Sequence, residues 1–175
     1  IIDLVCEVKS LAVLENTILV NGKSIEVNHI QYDITLLDWL RNYNKLTGTK
    51  EGCAEGDCGA CSVLIEENGS GNLRPINSCL VRLGQVMGGS ITTIEGLGSD
   101  KNPHPLQIAF TNKYASQCGY CTPGFIMSGI SLLNSNKKIT DDSINDAISG
   151  NLCRCTGYSP IIKAIKSAAK YRITQ

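Results

Sequence analysis

The sequence lacks a charge excess, a long apolar run and a supply of histidine, and each absence excludes a class of protein. Its 175 residues carry 16 basic and 16 acidic side chains and only 2 histidines. Because nucleic acids and anionic membranes normally bind a basic face, we expect neither as a partner. No apolar run is long enough to span a bilayer, and charges interrupt residues 1–15, which do not resemble a secretory signal. We therefore expect a cytoplasmic protein.

Cysteine, by contrast, is in clear excess. Of the 9 cysteines, all but Cys6 fall into two groups. A disulfide framework normally has an even number of cysteines in a short exported chain, so metal ligation is the favoured interpretation. His29 and His104 do not stand at zinc-finger spacing, so we expect thiolate ligands alone. The first group is Cys53, Cys58, Cys61 and Cys79, and the second is Cys118, Cys121, Cys153 and Cys155.

The patterning divides the chain into an α+β region and a helical region. After an N-terminal extension of residues 1–15, residues 16–98 show short strands around an Asn21-Gly22 hairpin turn and a helix. Residues 99–105 form a proline-containing linker. Residues 106–175 contain four amphipathic helices joined by short loops, which predicts a four-helix bundle.

Helix starts are marked by capping signals in both regions. Thr35 is placed to cap the helix of the first region. Two helices of the second region have starts at Thr122-Pro123 and Ser159-Pro160, where a Ser or Thr cap precedes a proline at the first helical position.

The first cysteine group has the spacing Cys53-x4-Cys58-x2-Cys61, with Cys79 further along. This is the spacing of plant-type 2Fe–2S ferredoxins. A loop that turns its N–H groups toward a cluster needs positive φ angles and close backbone approach, and three glycines allow both, namely Gly52, Gly56 and Gly59. Structural zinc usually binds paired Cys-x2–4-Cys knuckles, so an iron–sulfur cluster is favoured over zinc.

The second group consists of Cys118-x2-Cys121 and Cys153-x1-Cys155, a spacing that zinc would also accept. Each pair precedes a helix start. Two helix N-termini directed at one site favour a bound anion, which fits a negatively charged cluster buried at one end of the bundle. The spacing alone leaves zinc open.

Taken together, these motifs resemble the iron–sulfur subunit or N-terminal domain of the molybdenum hydroxylases, a family that includes xanthine dehydrogenase and aldehyde oxidoreductase. The matching runs include TGTKEGCAEGDCGAC, QCGYCTPGF and GNLCRCTGY. The EGDCGAC loop and the long hairpin after it are most similar to bacterial xanthine dehydrogenase small subunits. Ala54 stands where many relatives have glycine. The resemblance implies a ferredoxin-like β-grasp domain followed by a four-helix bundle, each holding one 2Fe–2S cluster.

The resemblance also implies a role and partners. Electrons would pass from a molybdenum–molybdopterin site through the bundle cluster and the ferredoxin-like cluster to FAD, both end sites lying on partner subunits or domains. Gln117 would hydrogen-bond the pterin, and Cys155 would lie beside it while ligating iron. The chain would be the electron-transfer component of an oxidoreductase, with no catalytic residues of its own. The substrate would be xanthine, hypoxanthine, another N-heterocycle or an aldehyde.

Two alternatives remain at this point. One is a stand-alone two-cluster electron carrier or redox sensor, and the other is a zinc-stapled interaction module. The QCGYC and GNLCRCTG runs favour the molybdenum hydroxylase, because a plain carrier has no use for a pterin contact.

Overall fold

The protein is an α+β fold in which a mixed five-stranded sheet precedes a series of helices. The computed structural model describes residues 16–28, 31–66, 69–135 and 137–171. The expected N-terminal extension with Cys6, and His29, lie outside the described residues. Within them, no helix is long and apolar enough to cross a membrane.

The sheet has the strand order β2-β1-β5-β3-β4. Strands β1 and β5 pair in parallel, and the other neighbours pair antiparallel. The predicted hairpin turn is confirmed, since Asn21 and Gly22 have φ angles of 51° and 77° between the paired strands β1 and β2. The strands are β1 (Thr17–Val20), β2 (Lys23–Glu26), β3 (Ser62–Glu66), β4 (Leu73–Asn77) and β5 (Ser90–Thr92).

Helix α1 covers one face of this sheet. It runs over Leu36–Asp38 and continues as a wider turn over Trp39–Tyr43. The predicted cap is confirmed, because the Thr35 hydroxyl accepts a hydrogen bond from the Asp38 N–H at 3.0 Å. Trp39 is buried among sheet residues such as Val63, and burying a side chain of this kind stabilises the fold by about 1.5–3 kcal/mol.

Four further helices follow, with α2 packed on α5 and α3 packed on α4. Helices α3 and α5 begin at Thr122 and Ser159 themselves, so the predicted starts are correct but the caps are Cys121 and Tyr158. The prolines therefore occupy the second helical position rather than the first. The four helices are α2 (Pro105–Asn112), α3 (Thr122–Asn134), α4 (Asp141–Ile148) and α5 (Ser159–Ala168).

The sheet and the helices share one contact surface. Strands β3 and β4 pack against α3, and Leu64 of β3 is fully buried in the same apolar cluster as Phe125 of α3. The Ser131 hydroxyl adds a hydrogen bond to the Leu73 carbonyl at 2.8 Å. This packing brings the loop before β3 next to the start of α3, and so brings the two cysteine groups to neighbouring positions.

Candidate metal centres

The loop of the first cysteine group turns its backbone N–H groups toward Cys53. The Cys53 sulfur accepts from the N–H groups of Glu55, Asp57 and Cys58 at 3.5, 3.3 and 3.4 Å. The N–H of Glu55 is the largest of the influences that lower the pKa of Cys53 to about 7. A thiolate is thus favoured here before any metal is considered.

Left-handed backbone makes this convergence possible. Ala54, Gly56 and Gly59 have φ angles of 57°, 87° and 66°. Ala54 adopts the conformation that glycine takes most readily. Gly52 leaves no room for a side chain, because a Cβ there would lie 2.6 Å from the Cys58 sulfur.

The four thiols of the first group form two pairs. Cys53 and Cys58 are in hydrogen-bond contact, and so are Cys61 and Cys79. Cys61 and Cys79 are buried, at 2% and 8% exposure. Burial, reinforced by the Cys61 thiol, raises the pKa of Cys79 to about 12. Such a thiol becomes a thiolate readily only when a cation binds it, and a coordinated thiol is deprotonated outright.

The second group shows the same arrangement. The sulfurs of Cys118 and Cys155 lie 3.6 Å apart, and the thiols of Cys121 and Cys153 are in hydrogen-bond contact. Burial raises the pKa of Cys121 to about 12. The hydrogen bond with Cys118 is the main reason that the pKa of Cys155 is raised.

Cys153 differs from its neighbours in its hydrogen bonds. Burial raises its pKa, but hydrogen bonds from the hydroxyl and N–H of Thr156, at 3.1 and 3.4 Å, and from the Cys155 N–H reverse the shift, so that the pKa is lowered overall. Each group therefore contains one thiol whose pKa its surroundings lower, Cys53 in the first and Cys153 in the second.

The second site lies partly at the surface of the chain. Cys121 directly precedes α3, as expected, whereas Cys118 and Cys155 are exposed. The sequence predicts a cluster shielded by the two helix starts together with a partner subunit, and that shielding stays a prediction. Gln117 is exposed directly beside Cys118.

The donor sets fit a two-iron cluster. Within the described residues, no three His, Cys, Asp or Glu side chains converge on a single ion position. The thiols instead meet as two pairs in each group. A 2Fe–2S cluster requires this donor set, since four cysteine thiolates hold its two irons.

Sequence reasoning missed the side chains that support the loops. The Asn77 amide donates to the Gly56 carbonyl at 2.8 Å, and the Tyr158 hydroxyl accepts from the Cys153 N–H at 3.0 Å. The Tyr120 hydroxyl donates to the Glu51 carbonyl, joining one cysteine loop to the other. Tyr120 and Tyr158 stand inside the cysteine motifs, which is the one signal that could have identified them.

Two family models match the chain. A model described as "2Fe-2S iron-sulfur cluster binding domain" matches residues 18–84, and one described as "2Fe-2S binding domain" matches residues 93–166. Each model covers all four cysteines of one group. The chain therefore contains two 2Fe–2S binding domains, each spanning one cysteine group, and zinc is no longer the expected metal.

Curated relatives contain a region that is clearly homologous to this chain. Aldehyde oxidase 1 of Bos taurus is 43% identical over 156 residues, covering 86% of this chain and 12% of the relative. Xanthine dehydrogenase of Emericella nidulans is 43% identical over 151 residues, covering 84% of this chain and 11% of the relative. The chain thus spans about an eighth or less of the length of these relatives.

Solved structures share the fold. A chain of quinoline 2-oxidoreductase from Pseudomonas putida 86 superposes with a TM-score of 0.77 at 39% identity, covering 89% of this chain and 93% of that one. Aldehyde oxidoreductase from Desulfovibrio gigas superposes with a TM-score of 0.81 at 39% identity, covering 88% of this chain and 16% of that one.

Proposed function

The chain belongs to the two-cluster 2Fe–2S iron–sulfur components of the xanthine dehydrogenase and aldehyde oxidase family, and we propose that it relays electrons inside a molybdenum hydroxylase. The observation that carries the proposal is the meeting of eight thiols as four pairs in two neighbouring sites. Two-iron clusters exchange single electrons, and adjacent sites in one chain suit a relay.

We assign the ligands by these pairs. In the first site Cys53 and Cys58 would hold one iron and Cys61 and Cys79 the other. In the second site Cys118 and Cys155 would hold one iron and Cys121 and Cys153 the other. The backbone N–H groups directed at Cys53 and Cys153 would stabilise the added negative charge of the reduced state, because hydrogen bonds to sulfur raise a cluster's potential.

Each site would lie in its own domain. The first would be a ferredoxin-like β-grasp domain over residues 16–98, joined by a linker over 99–105 to a four-helix bundle domain over 106–175. The two domains would act as one rigid unit, since β3 and β4 pack directly on α3.

The exposed side of the second site would face the molybdenum partner. Cys118 and Cys155 are exposed, with Gln117 beside them, so a partner subunit or domain can approach this end of the chain. The Gln117 amide would hydrogen-bond the molybdopterin, and Cys155 would lie next to it. Electrons would then reach the first site and a FAD-binding subunit or domain.

Substrate oxidation would take place outside this chain. The relatives are named for xanthine, aldehydes and quinoline, so the expected substrate is an N-heterocycle such as xanthine or hypoxanthine, or an aldehyde. The similarity of the EGDCGAC loop to bacterial xanthine dehydrogenase small subunits favours xanthine or hypoxanthine as the substrate. The role assigned to this chain is electron transfer alone, in the cytoplasm.

Metal analysis combined with co-purification tests the proposal. The anaerobically purified chain should contain about four irons and no stoichiometric zinc, and should show the visible charge-transfer bands of 2Fe–2S clusters. Affinity capture from the native cell should bring down a molybdenum-containing polypeptide. Four irons without any molybdenum partner would identify a stand-alone carrier or sensor instead.

A further inference from the structure

A buried amide lies between the two cysteine sites. Asn151 is 4% exposed, in the turn that links α4 to Cys153. Its side-chain oxygen accepts from the Ser128 hydroxyl of α3 at 2.7 Å, and its side-chain nitrogen donates to the Gly59 carbonyl at 3.1 Å. Both hydrogen bonds are buried, so loss of either leaves a polar group without a partner in the interior.

The next residue extends the same connection. The Leu152 N–H donates to the Cys58 carbonyl at 3.0 Å. Two consecutive residues of one cysteine loop therefore donate hydrogen bonds to two consecutive carbonyls of the other loop. Cys58 is a proposed ligand of the first site, and Leu152 is bonded directly to Cys153 of the second. A shift of one loop along this contact changes the position of a ligand in each site.

The backbone segments around the Asn151 side chain are closely packed. A Cβ at Gly59 would lie 2.3 Å from the Gly150 carbonyl and 2.4 Å from the Asn151 side-chain nitrogen. A Cβ at Gly124, in the first turn of α3, would lie 2.1 Å from the Gly59 carbonyl. Two glycines, Gly59 and Gly124, thus let three chain segments approach until their backbones touch. Asn151 is the side chain that satisfies the carbonyl at the centre of this contact.

We infer that Asn151 is a positioning residue that fixes the separation of the two clusters, and through it the rate at which electrons pass between them. The inference rests on the proposed function, because it requires both groups to hold clusters. It is independent of the molybdenum partner and of the substrate. Electron transfer depends steeply on distance, so a residue that touches neither cluster can still control the rate.

Matched truncations test this role. Asn151→Ala removes the hydrogen bonds to both Gly59 and Ser128, whereas Ser128→Ala removes only the one on the α3 side. Asn151→Asp keeps the size and the acceptor for Ser128 but replaces the donor to Gly59 with an oxygen. The cluster-loaded protein would be measured for iron content, for the magnetic interaction between the two reduced clusters by electron paramagnetic resonance, and for the rate of transfer between them.

The expected result separates the variants. All of them should retain about four irons, as the wild type should. Asn151→Ala and Asn151→Asp should change the splitting that the two reduced clusters impose on each other. They should also slow transfer between the clusters by about tenfold or more, a loss typical for residues that support metal ligands. Ser128→Ala should leave the splitting and the rate close to those of the wild type.

Three results would overturn the inference. The first is an unchanged splitting and rate in both Asn151 variants with full iron content. The second is an equal change in Ser128→Ala, which would mean that the amide only anchors α3. The third is failure of both Asn151 variants to bind iron, which would make Asn151 a residue of the fold rather than of the spacing. A wild-type chain without iron would instead refute the proposed function itself.

Discussion

The Tyr158 hydroxyl accepts a hydrogen bond from the Cys153 N–H at 3.0 Å and so closes the loop that carries two proposed ligands of the second site. Tyr158 has φ and ψ angles of 67° and −34°, the strained geometry of a γ-turn that the Ser159 N–H closes on the Gly157 carbonyl at 2.8 Å, and such a conformation costs about 1–3 kcal/mol. Its ring packs edge-on against Phe125 with centroids 6.1 Å apart. The hydrogen bond and the ring contact together offset the backbone cost and hold Cys153 against the start of α5.

Replacing Tyr158 by Phe should weaken this loop while leaving the ring contact in place. The Cys153 N–H would lose its acceptor, so the free energy of unfolding of the cluster-loaded chain should fall by about 1–3 kcal/mol in denaturant titrations. Tyr43→Phe removes an exposed hydroxyl and is the matched control, expected within about 0.5 kcal/mol of the wild type. Equal stability of the two variants would show that the hydrogen bond contributes nothing.

Local signals are what the sequence predicts well. Asn21-Gly22 specifies the hairpin turn and Thr35 the cap of α1, because each depends on neighbouring residues only. The two starts at Thr122 and Ser159 were correct for the same reason, although the capping position lies one residue earlier. Cysteine spacing predicts the two compact runs, Cys53 to Cys61 and Cys118 to Cys121, for the same reason, whereas the role of all eight cysteines as ligands stays a prediction.

Contacts between distant segments could not be predicted. Asn151 and Gly59 are 92 residues apart, and the sequence predicts Gly59 only as a glycine of the cluster loop, with nothing to indicate its contact with Asn151. Asn77 and Gly56 pose the same difficulty at a separation of 21 residues. Helix starts predict an anion site but not whether the same chain or a partner covers it, and Cys118 and Cys155 are exposed in this chain.

Close packing at Gly59 can be separated from its backbone conformation by a pair of alanine substitutions. Gly59 and Gly22 both have positive φ angles, but a Cβ at Gly22 meets nothing within 4 Å, whereas one at Gly59 meets a carbonyl at 2.3 Å. Gly22→Ala should therefore lower the free energy of unfolding by about 1–2 kcal/mol, from backbone strain alone. Gly59→Ala should lower it by more and should also reduce the iron content of the chain. Equal losses in thermal unfolding would contradict the crowding seen at Gly59.

Acidification should weaken the start of α2 through His104. Its Nδ1 accepts from the Leu106 N–H at 3.1 Å, and burial lowers the pKa of His104 below its ordinary value of about 6.5. Because the folded state favours the neutral ring, the stabilisation is complete above pH 6.5 and is lost as pH falls through the folded pKa. A lost cap is worth about 0.5–2 kcal/mol.

The measurement compares His104→Ser with the wild type across pH 4.5–8 by denaturant unfolding. Serine can cap the helix without titrating, so carboxylate effects cancel in the difference between the two proteins. The wild type should lose stability relative to His104→Ser as the solution becomes acidic. A difference that stays constant across this range would mean that the histidine ring does not serve as the cap.

Gln117→Ala should leave both clusters assembled but weaken the contact with the molybdenum partner. Gln117 is not a proposed ligand, and the lost hydrogen bond would leave a pterin group without its partner, at about 1–3 kcal/mol in a buried contact. Molybdenum cofactor occupancy, or the rate of electron transfer out of it, should fall in the purified complex. Lys113→Ala, an exposed position four residues earlier, is the control. Unchanged values in both variants would make Gln117 an ordinary loop residue.

The two clusters should be distinguishable by potential and by electron paramagnetic resonance, because their thiols differ in exposure and in hydrogen bonding. Cys61 and Cys79 are buried in the first site, and Cys53 there accepts three N–H groups, whereas two thiols of the second site are exposed. Exposure and hydrogen bonds to sulfur are what set cluster potentials. Stepwise reduction of the complex should therefore give two separate signals.

Serine substitutions should then remove one signal each. Cys58→Ser should abolish the signal of the first site and slow the reduction of FAD, while substrate still reduces the molybdenum and the second cluster. Cys153→Ser should abolish the other signal, the one magnetically coupled to molybdenum, because the proposed function places the exposed Cys118 and Cys155 of that site toward the partner. If Cys153→Ser removed the uncoupled signal instead, the order of the two sites in the relay would be reversed.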